Sequence, residues 1–264
     1  MNEQSSISSD VASPSLFRNH FIGELGIEHW VDENTSYGRA EISPEMLVPG
    51  TGFVRIGLLA TLADVVSGQP PTGVITPTTD LSVHVGRLVE LKCVHLESRV
   101  IKAGATLAVV KTRITADDEI EPFATSMATF MNRKIDISLP PSEGGLKLNE
   151  PLSSRIGAHI LSPGTVELMP NGEIANAHHG TVQGGVVSLL GELAAESAVE
   201  QDTPFVVTDL DIRFLNRAKV GPLRAVTEVL SHDPSNRMLG VDIRDQGDQQ
   251  RLVAYMAASG HSLS

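Results

Sequence analysis

The chain has 264 residues, enough for one or two domains or for two copies of a smaller one. It carries 20 Lys and Arg against 32 Asp and Glu, a formal net charge of −12, and only 4% of its residues are aromatic. The acidic balance and the scarcity of aromatic rings argue against a nucleic-acid partner. The single cysteine, Cys93, excludes an intrachain disulfide framework and a zinc site built from cysteines.

The N-terminal segment and the apolar runs predict the compartment. Residues 1–16 are rich in serine, with no basic start and no apolar stretch of the kind found in signal peptides. We therefore interpret them as a flexible tail. No apolar run approaches the roughly 18 residues that a membrane span requires. We expect a cytoplasmic protein with no membrane partner.

A segment rich in proline and glycine separates two parts of the chain of similar length. Paired prolines and paired glycines at 138–145 are typical of a linker or an exposed loop. We predict a linker at 136–151, with a first domain at 17–135 and a second at 152–264.

The two segments resemble each other, which indicates a tandem duplication. Three stretches match at a nearly constant spacing, and small loop insertions account for the slight drift between them. The matched pairs are 54–64 with 182–192, 79–83 with 208–212, and 91–94 with 223–226.

Each copy is predicted to consist of one apolar helix followed by four strands. The helices cover 54–68 and 182 to about 200, and their apolar residues extend almost all round, which indicates burial. Alternating β-formers separated by turn residues follow each helix. A helix followed by an antiparallel meander predicts a sheet wrapped around that helix. The predicted strands are 78–85, 90–102, 105–115 and 122–132, then 205–215, 222–231, 237–245 and 251–258.

The start of the second helix carries the motif that points to a family. Residues 179–185 read His-Gly-Thr-Val-Gln-Gly-Gly, an acidic residue follows at Glu192, and a Thr-Asp-Leu strand begins at Thr208. This arrangement resembles the hotdog-fold acyl-CoA thioesterases of the hydroxybenzoyl-CoA and phenylacetyl-CoA type. Their signature is His-Gly-Thr-x-His-Gly-Gly, and Gln183 stands here for the second histidine. The resemblance covers 20–135 and 152–260 and implies an α+β double hotdog. Each half is expected to wrap an antiparallel sheet of five or six strands around a central helix, and the two sheets are expected to join edge to edge.

The resemblance also implies composite sites, because in this family the helix start of one hotdog faces the acidic residue of its partner. In the first site, Asp64 and Thr78 of one copy would meet Gln183 and Gly184 of the other. The Gly184 N–H would polarise the thioester carbonyl, and Asp64 would activate water or attack the carbonyl directly. Thr78 would orient the water. The substrate contacts expected around this site are His178, His179, Asn176, Gly185, Arg213 and Arg217.

The second composite site pairs Glu192 with the helix start at Ile56 and Gly57. The Ile56 side chain crowds an approach that glycine would leave open. Val207 stands where the first site has Thr78, and it cannot hold a water by hydrogen bonding. We therefore predict that this second site is weak or inactive.

Residues and resemblance together predict a thioester hydrolase that cleaves a small-molecule acyl-CoA to the free acid and CoA. We expect no metal, because the adjacent histidines 178 and 179 point in different directions, and no cofactor besides the CoA of the substrate. The family pattern implies a homodimer of double hotdogs. Two alternatives are a non-catalytic acyl-thioester binding protein and a hotdog hydratase or dehydratase. The Gly-Asp-x-Asn-Pro-x-His run of the hydratase branch does not occur in the sequence.

Overall fold

The computed structural model describes residues 20–70, 74–135, 148–176, 180–199, 204–231, 233 and 236–263. The predicted tail and most of the predicted linker lie outside these residues. Within them, no helix is long and apolar enough to cross a membrane.

Two long helices form where the apolar pattern predicts them. All but two residues of the first are buried, and the second is buried along most of its length, because both are apolar almost all round. Two further helices of four residues each were not predicted, since one turn is too short to show a period. The helices are α1 (Phe21–Glu24), α2 (Ile56–Ser67), α3 (Leu152–Arg155) and α4 (Gly184–Ser197).

The eight predicted strands are present with shifts of a few residues at their ends. In the first copy they are β3 (Val74–Val85), β4 (Cys93–Ala103), β5 (Leu107–Ala116) and β6 (Ala124–Ile135). In the second copy they are β11 (Phe205–Phe214), β12 (Leu223–Ser231), β13 (Arg237–Asp245) and β14 (Arg251–Ser262).

Shorter strands precede each long helix. Four of them extend the main sheet, and two form a separate small ladder just before α4. They are β1 (Glu28–Asp32), β2 (Thr35–Glu41), β7 (Ala158–Ser162), β8 (Thr165–Leu168), β9 (Ala175–Asn176) and β10 (Thr181–Val182).

One antiparallel sheet of twelve strands contains both halves of the described chain. Its order is β1-β2-β4-β5-β6-β3-β11-β14-β13-β12-β8-β7, so six strands of the first half are followed by six of the second. The halves meet edge to edge at β3 and β11, where Asp80 pairs with Arg213 and His84 with Asp209. This is the edge-to-edge join that the resemblance implies.

The helices α2 and α4 pack directly against each other. A Cβ atom added at Gly185 would lie only 2.5 Å from the Thr61 Cα, so this close approach requires glycine. The Thr61 hydroxyl is directed back along its own helix and donates to the Gly57 carbonyl at 2.7 Å. Each helix start therefore lies beside the body of the other helix.

A β-bulge interrupts the central strands at equivalent places in the two halves. The register shifts between Thr78 and Asp80 in β3 and between Val207 and Asp209 in β11. In a regular strand Thr79, and not Thr78, would share the helix-facing side with the buried Leu81. The bulge instead turns Thr78 toward α2.

Candidate active site

Asp64 lies about two turns into α2 and faces the start of α4. The Thr78 hydroxyl donates to Asp64 Oδ1 at 2.6 Å, and the Gln183 side-chain amide donates to Oδ2 at 3.1 Å. Gly184 is adjacent, since a Cβ atom added there would lie 3.3 Å from Asp64 Oδ2. The four residues expected at the first composite site therefore come together from both halves of the chain.

Gln183 is the N-cap residue of α4, and both ends of its amide are engaged. Its Oε1 accepts from the Val186 backbone N–H at 3.1 Å, while its Nε2 donates to Asp64. The cap satisfies one of the free N–H groups at the helix start. The same side chain therefore caps the start of the helix and orients the Asp64 carboxylate.

The first two amides of α4 lie next to this cluster. No hydrogen bond from the Gly184 or Gly185 N–H is found within the described part of the chain. These donors lie at the positive end of the helix. The ring of Phe214 forms a wall beside them, with its Cζ 3.2 Å from the position of a Cβ on Gly184. Such a position suits an oxygen that gains negative charge during a reaction.

The environment of Asp64 makes its carboxyl a weaker acid than usual. Burial raises the pKa of Asp64 to about 6, while the hydrogen bond from Thr78 acts in the opposite direction. A carboxylate with a pKa close to the working pH is ionised for a large fraction of the time and is still basic enough to accept a proton. Asp64 therefore has the acidity of a general base.

The second cluster has a different arrangement, because Glu192 occupies the helix start itself. Glu192 is fully buried, and its two carboxylate oxygens accept from the Ile56 and Gly57 N–H groups at 3.0 and 2.9 Å. The extra methylene of glutamate lets it reach the amides that Asp64 leaves open in the first cluster. Val207 is buried and brings no hydroxyl to this position.

Two further charges surround Glu192. Arg55 stands where α4 has Gln183, and its Nη1 donates to Glu196 Oε2 at 2.8 Å and lies 3.8 Å from Glu192 Oε1. Burial raises the pKa of Glu192 above its usual range, and the neighbouring charge of Glu196 adds to the effect, against the opposing influence of Arg55. The cluster thus holds a buried ion pair and no free amide.

The remaining predicted contacts lie around the first cluster or apart from it. Asn176 pairs with Thr181 in the ladder of β9 and β10, which leads into Gln183. Arg213 is on the exposed side of the sheet, paired with Asp211, and Arg217 is exposed on the loop after β11. The structure brings neither arginine into contact with Asp64. The predicted contacts His178 and His179 lie outside the described residues.

Two residues of these clusters were missed by sequence reasoning. Phe214 lies two residues after the buried Ile212 and shares the helix-facing side of β11 with it. Glu196 follows Glu192 by four residues on one helix face. Both spacings are visible in the sequence, but neither says what the side chain meets. Among the described residues, no group of three His, Cys, Asp or Glu is placed to hold a metal ion.

Comparison with known proteins identifies the fold. The sequence matches no protein-family model and no curated protein. Several solved structures match it over nearly their whole length.

The tesB protein of Mycobacterium avium subsp. paratuberculosis aligns with a TM-score of 0.66 at 13% identity, over 92% of this chain and 98% of that one. A conserved protein of unknown function with a hot dog fold from Alicyclobacillus acidocaldarius gives 0.62 at 10% identity, over 93% and 98%. The 12:0-ACP thioesterase of Umbellularia californica gives 0.59 at 10% identity, over 89% and 100%. The chain therefore has a hotdog fold.

Proposed function

We propose that the chain is an acyl-CoA thioesterase with one active site, at Asp64, between two hotdog units formed by 17–135 and 152–264. The observation that carries the proposal is the Asp64 carboxyl group, with a pKa near 6, held beside the start of α4, where the Gly184 and Gly185 N–H groups have no hydrogen-bond partner among the described residues. A base and an oxyanion donor side by side are what acyl transfer to water requires. Among the solved structures with this fold are a 12:0-ACP thioesterase and an acyl-ACP thioesterase, which supports the same reaction class.

The site residues can divide the chemistry between them. The thioester oxygen would accept from the Gly184 N–H, which polarises the carbonyl for attack. The Thr78 hydroxyl donates its hydrogen bond to Asp64, so its oxygen can accept one from a water and hold that water near the carboxylate. As the oxygen of this water bonds to the carbonyl carbon, the Asp64 carboxylate accepts a proton from the water. The C–S bond then breaks, and the proton passes to the sulfur, giving the free acid and CoA.

Direct attack by Asp64 is the other route that the geometry allows. The carboxylate oxygen would displace CoA and form an anhydride, which water would then hydrolyse. A single turnover in ¹⁸O-labelled water separates the routes, because only the anhydride route can place the label in the Asp64 carboxyl. Mass spectrometry of the peptide that contains Asp64 reads the result.

The second cluster is proposed to be inactive. A thioester oxygen there would find the Ile56 and Gly57 amides already occupied by Glu192. Displacing a fully buried carboxylate from two hydrogen bonds would leave it without partners, which is costly. The proposal thus assigns one active site to each chain.

A thiol-release assay tests the proposal. Wild type, Asp64→Asn and Glu192→Gln are compared on short, medium, long and aryl acyl-CoAs, with matching acyl-ACPs as a second carrier. A positioned base is worth roughly 10²–10⁴ in rate, so Asp64→Asn should lose about that factor and Glu192→Gln should retain most of the turnover. Loss of turnover in Glu192→Gln alone would assign the chemistry to the Glu192 cluster and refute the proposal. Turnover of acyl-ACP alone would correct the carrier.

A non-catalytic acyl-thioester binding protein remains the second candidate, on one specific observation. Both oxygens of Asp64 already accept a hydrogen bond, and Gln183 cannot act as an acid or base as a histidine could. This function would be supported if wild type bound acyl thioesters by calorimetry and released no thiol from any of them.

A homodimer that pairs the exposed faces of the sheets completes the proposal. Large apolar side chains lie exposed on β4, β5, β6, β12, β13 and β14, and exposed apolar surface of this kind marks association sites. Light scattering on the purified chain tests the dimer. The residues concerned are Ile101, Leu107, Met127, Leu230, Met238 and Tyr255.

A further inference from the structure

A cavity of about 490 Å³ lies beside the Glu192 cluster. It opens between the start of α2 and the second half of α4, and the edge strands β7 and β8 close its other side. Arg55 contributes to this cavity as Gln183 contributes to the first site, so the duplication relates the two places. The volume is within the range of pockets that bind small molecules.

The walls of this cavity are mainly apolar and firmly held. Leu193 comes from α4, Val166 from β8 and Phe205 from the start of β11, and all three are buried in the core. Ile160 on β7 lies at the mouth and is 66% exposed. Because these side chains come from α4, β7, β8 and β11, the sheet and helix layers fix this part of the cavity.

The charges at the bottom of the cavity are already matched. Arg55 is 5% exposed, donates to Glu196, and lies close to Glu192. One guanidinium between two glutamates leaves no surplus positive charge for an anionic ligand. The backbone amides of Ile56 and Gly57 are also engaged. Apolar contact is therefore the main attraction that this cavity can offer.

We propose that this cavity is a separate, non-hydrolytic binding site for the uncharged aliphatic chain of a small amphiphile. The polar end of the ligand would stay at the mouth near His159, which is exposed, and the chain would pack against Leu193, Val166 and Phe205. The inference does not depend on hydrolysis at Asp64. A thioester or its acid is one natural source of such a chain, but the recognition is of the chain alone.

Calorimetry with hexanol, octanol and decanol tests the site, since these probes carry a neutral chain and no thioester. Burying a methylene is worth at most about 0.8 kcal/mol, so each two-carbon step should lower Kd by roughly tenfold. Wild type and Asp64→Asn should bind alike, which keeps this test independent of the proposed catalysis. Absence of saturable binding, or affinity that does not rise with chain length, would overturn the proposal.

Two filling variants locate the binding. Leu193→Trp fills the cavity from α4, and Ala158→Trp fills it from the start of β7, where the side chain is only partly buried and a larger one is more easily accommodated. Both should weaken octanol binding by tenfold or more, whereas Leu193→Met keeps the volume and should bind as wild type. Thermal unfolding confirms that each variant is folded. Wild-type affinity in folded Ala158→Trp would refute the location.

Discussion

Asp64 should make the stability of the folded chain depend on pH, and Asp64→Asn should remove that dependence. The pKa of Asp64 is about 6 in the folded chain against an ordinary value of 3.8. The folded state therefore holds this proton more tightly than the unfolded state does. The stabilisation from protonated Asp64 is complete below about pH 4, is lost as the pH rises to about 6, and stays lost above it.

The size of the effect follows from the two pKa values. They differ by about 2 pKa units, and each unit corresponds to ~1.4 kcal/mol, which gives an upper bound of ~3 kcal/mol. Because the carboxyl is only half-buried, solvent should reduce the effect to ~1–3 kcal/mol.

Urea unfolding of wild type and Asp64→Asn at about pH 4 and about pH 8 measures this. The quantity of interest is the free energy of unfolding of the variant minus that of wild type, which should increase by ~1–3 kcal/mol from the lower to the higher pH. In the variant, the asparagine amide faces the donor end of Gln183, which lowers the free energy of unfolding. This decrease is the same at both pH values, so it cancels in the comparison.

An exposed aspartate provides the control. Asp118 lies on the turn after β5, and Asp118→Asn should show a difference from wild type that hardly changes with pH. If the Asp64→Asn difference were equally flat, Asp64 would not sit in the desolvated site described above, and the argument for a general base would fail with it.

Three further outcomes are expected. Gly185→Ala should lower the free energy of unfolding by ~1–3 kcal/mol or more in urea, because its Cβ would lie 2.5 Å from the Thr61 Cα, in the contact between the helices. Gly184→Ala should remain folded but lose roughly 10- to 100-fold in kcat/KM, because its methyl group would enter the space between Asp64 and Phe214; unchanged kcat/KM would exclude that space as the substrate site. The kcat/KM of wild type should rise with pH through about 6. Thr78→Val lacks the hydroxyl that lowers the pKa of Asp64, so it should move this rise to higher pH, and Thr78→Ser should restore it. If neither substitution moved the rise, the ionisation would belong to a group other than Asp64.

The sequence by itself determined the two buried helices and the eight main strands. These follow from local patterns, namely apolar spacing, β-former alternation and the duplicated motif. The pairing of one copy's acid with the other's helix start came from the family resemblance, and the observed contacts are consistent with it. The four-residue helices and the short edge strands carry too few residues for a periodic signal.

Only the tertiary structure decided which of the two helix starts is open. The sequence shows Asp64 in one copy and Glu192 in the other, a difference of one methylene. Whether the longer side chain brings its carboxylate to an amide depends on how closely α2 and α4 approach. The contact of Gly185 with α2 sets the distance between the two helices. At this spacing Glu192 accepts from the amides of Ile56 and Gly57, while Asp64 accepts from the Gln183 side chain instead, and the first two amides of α4 have no partner among the described residues. Distances between elements far apart in sequence arise from packing, and no local pattern encodes them.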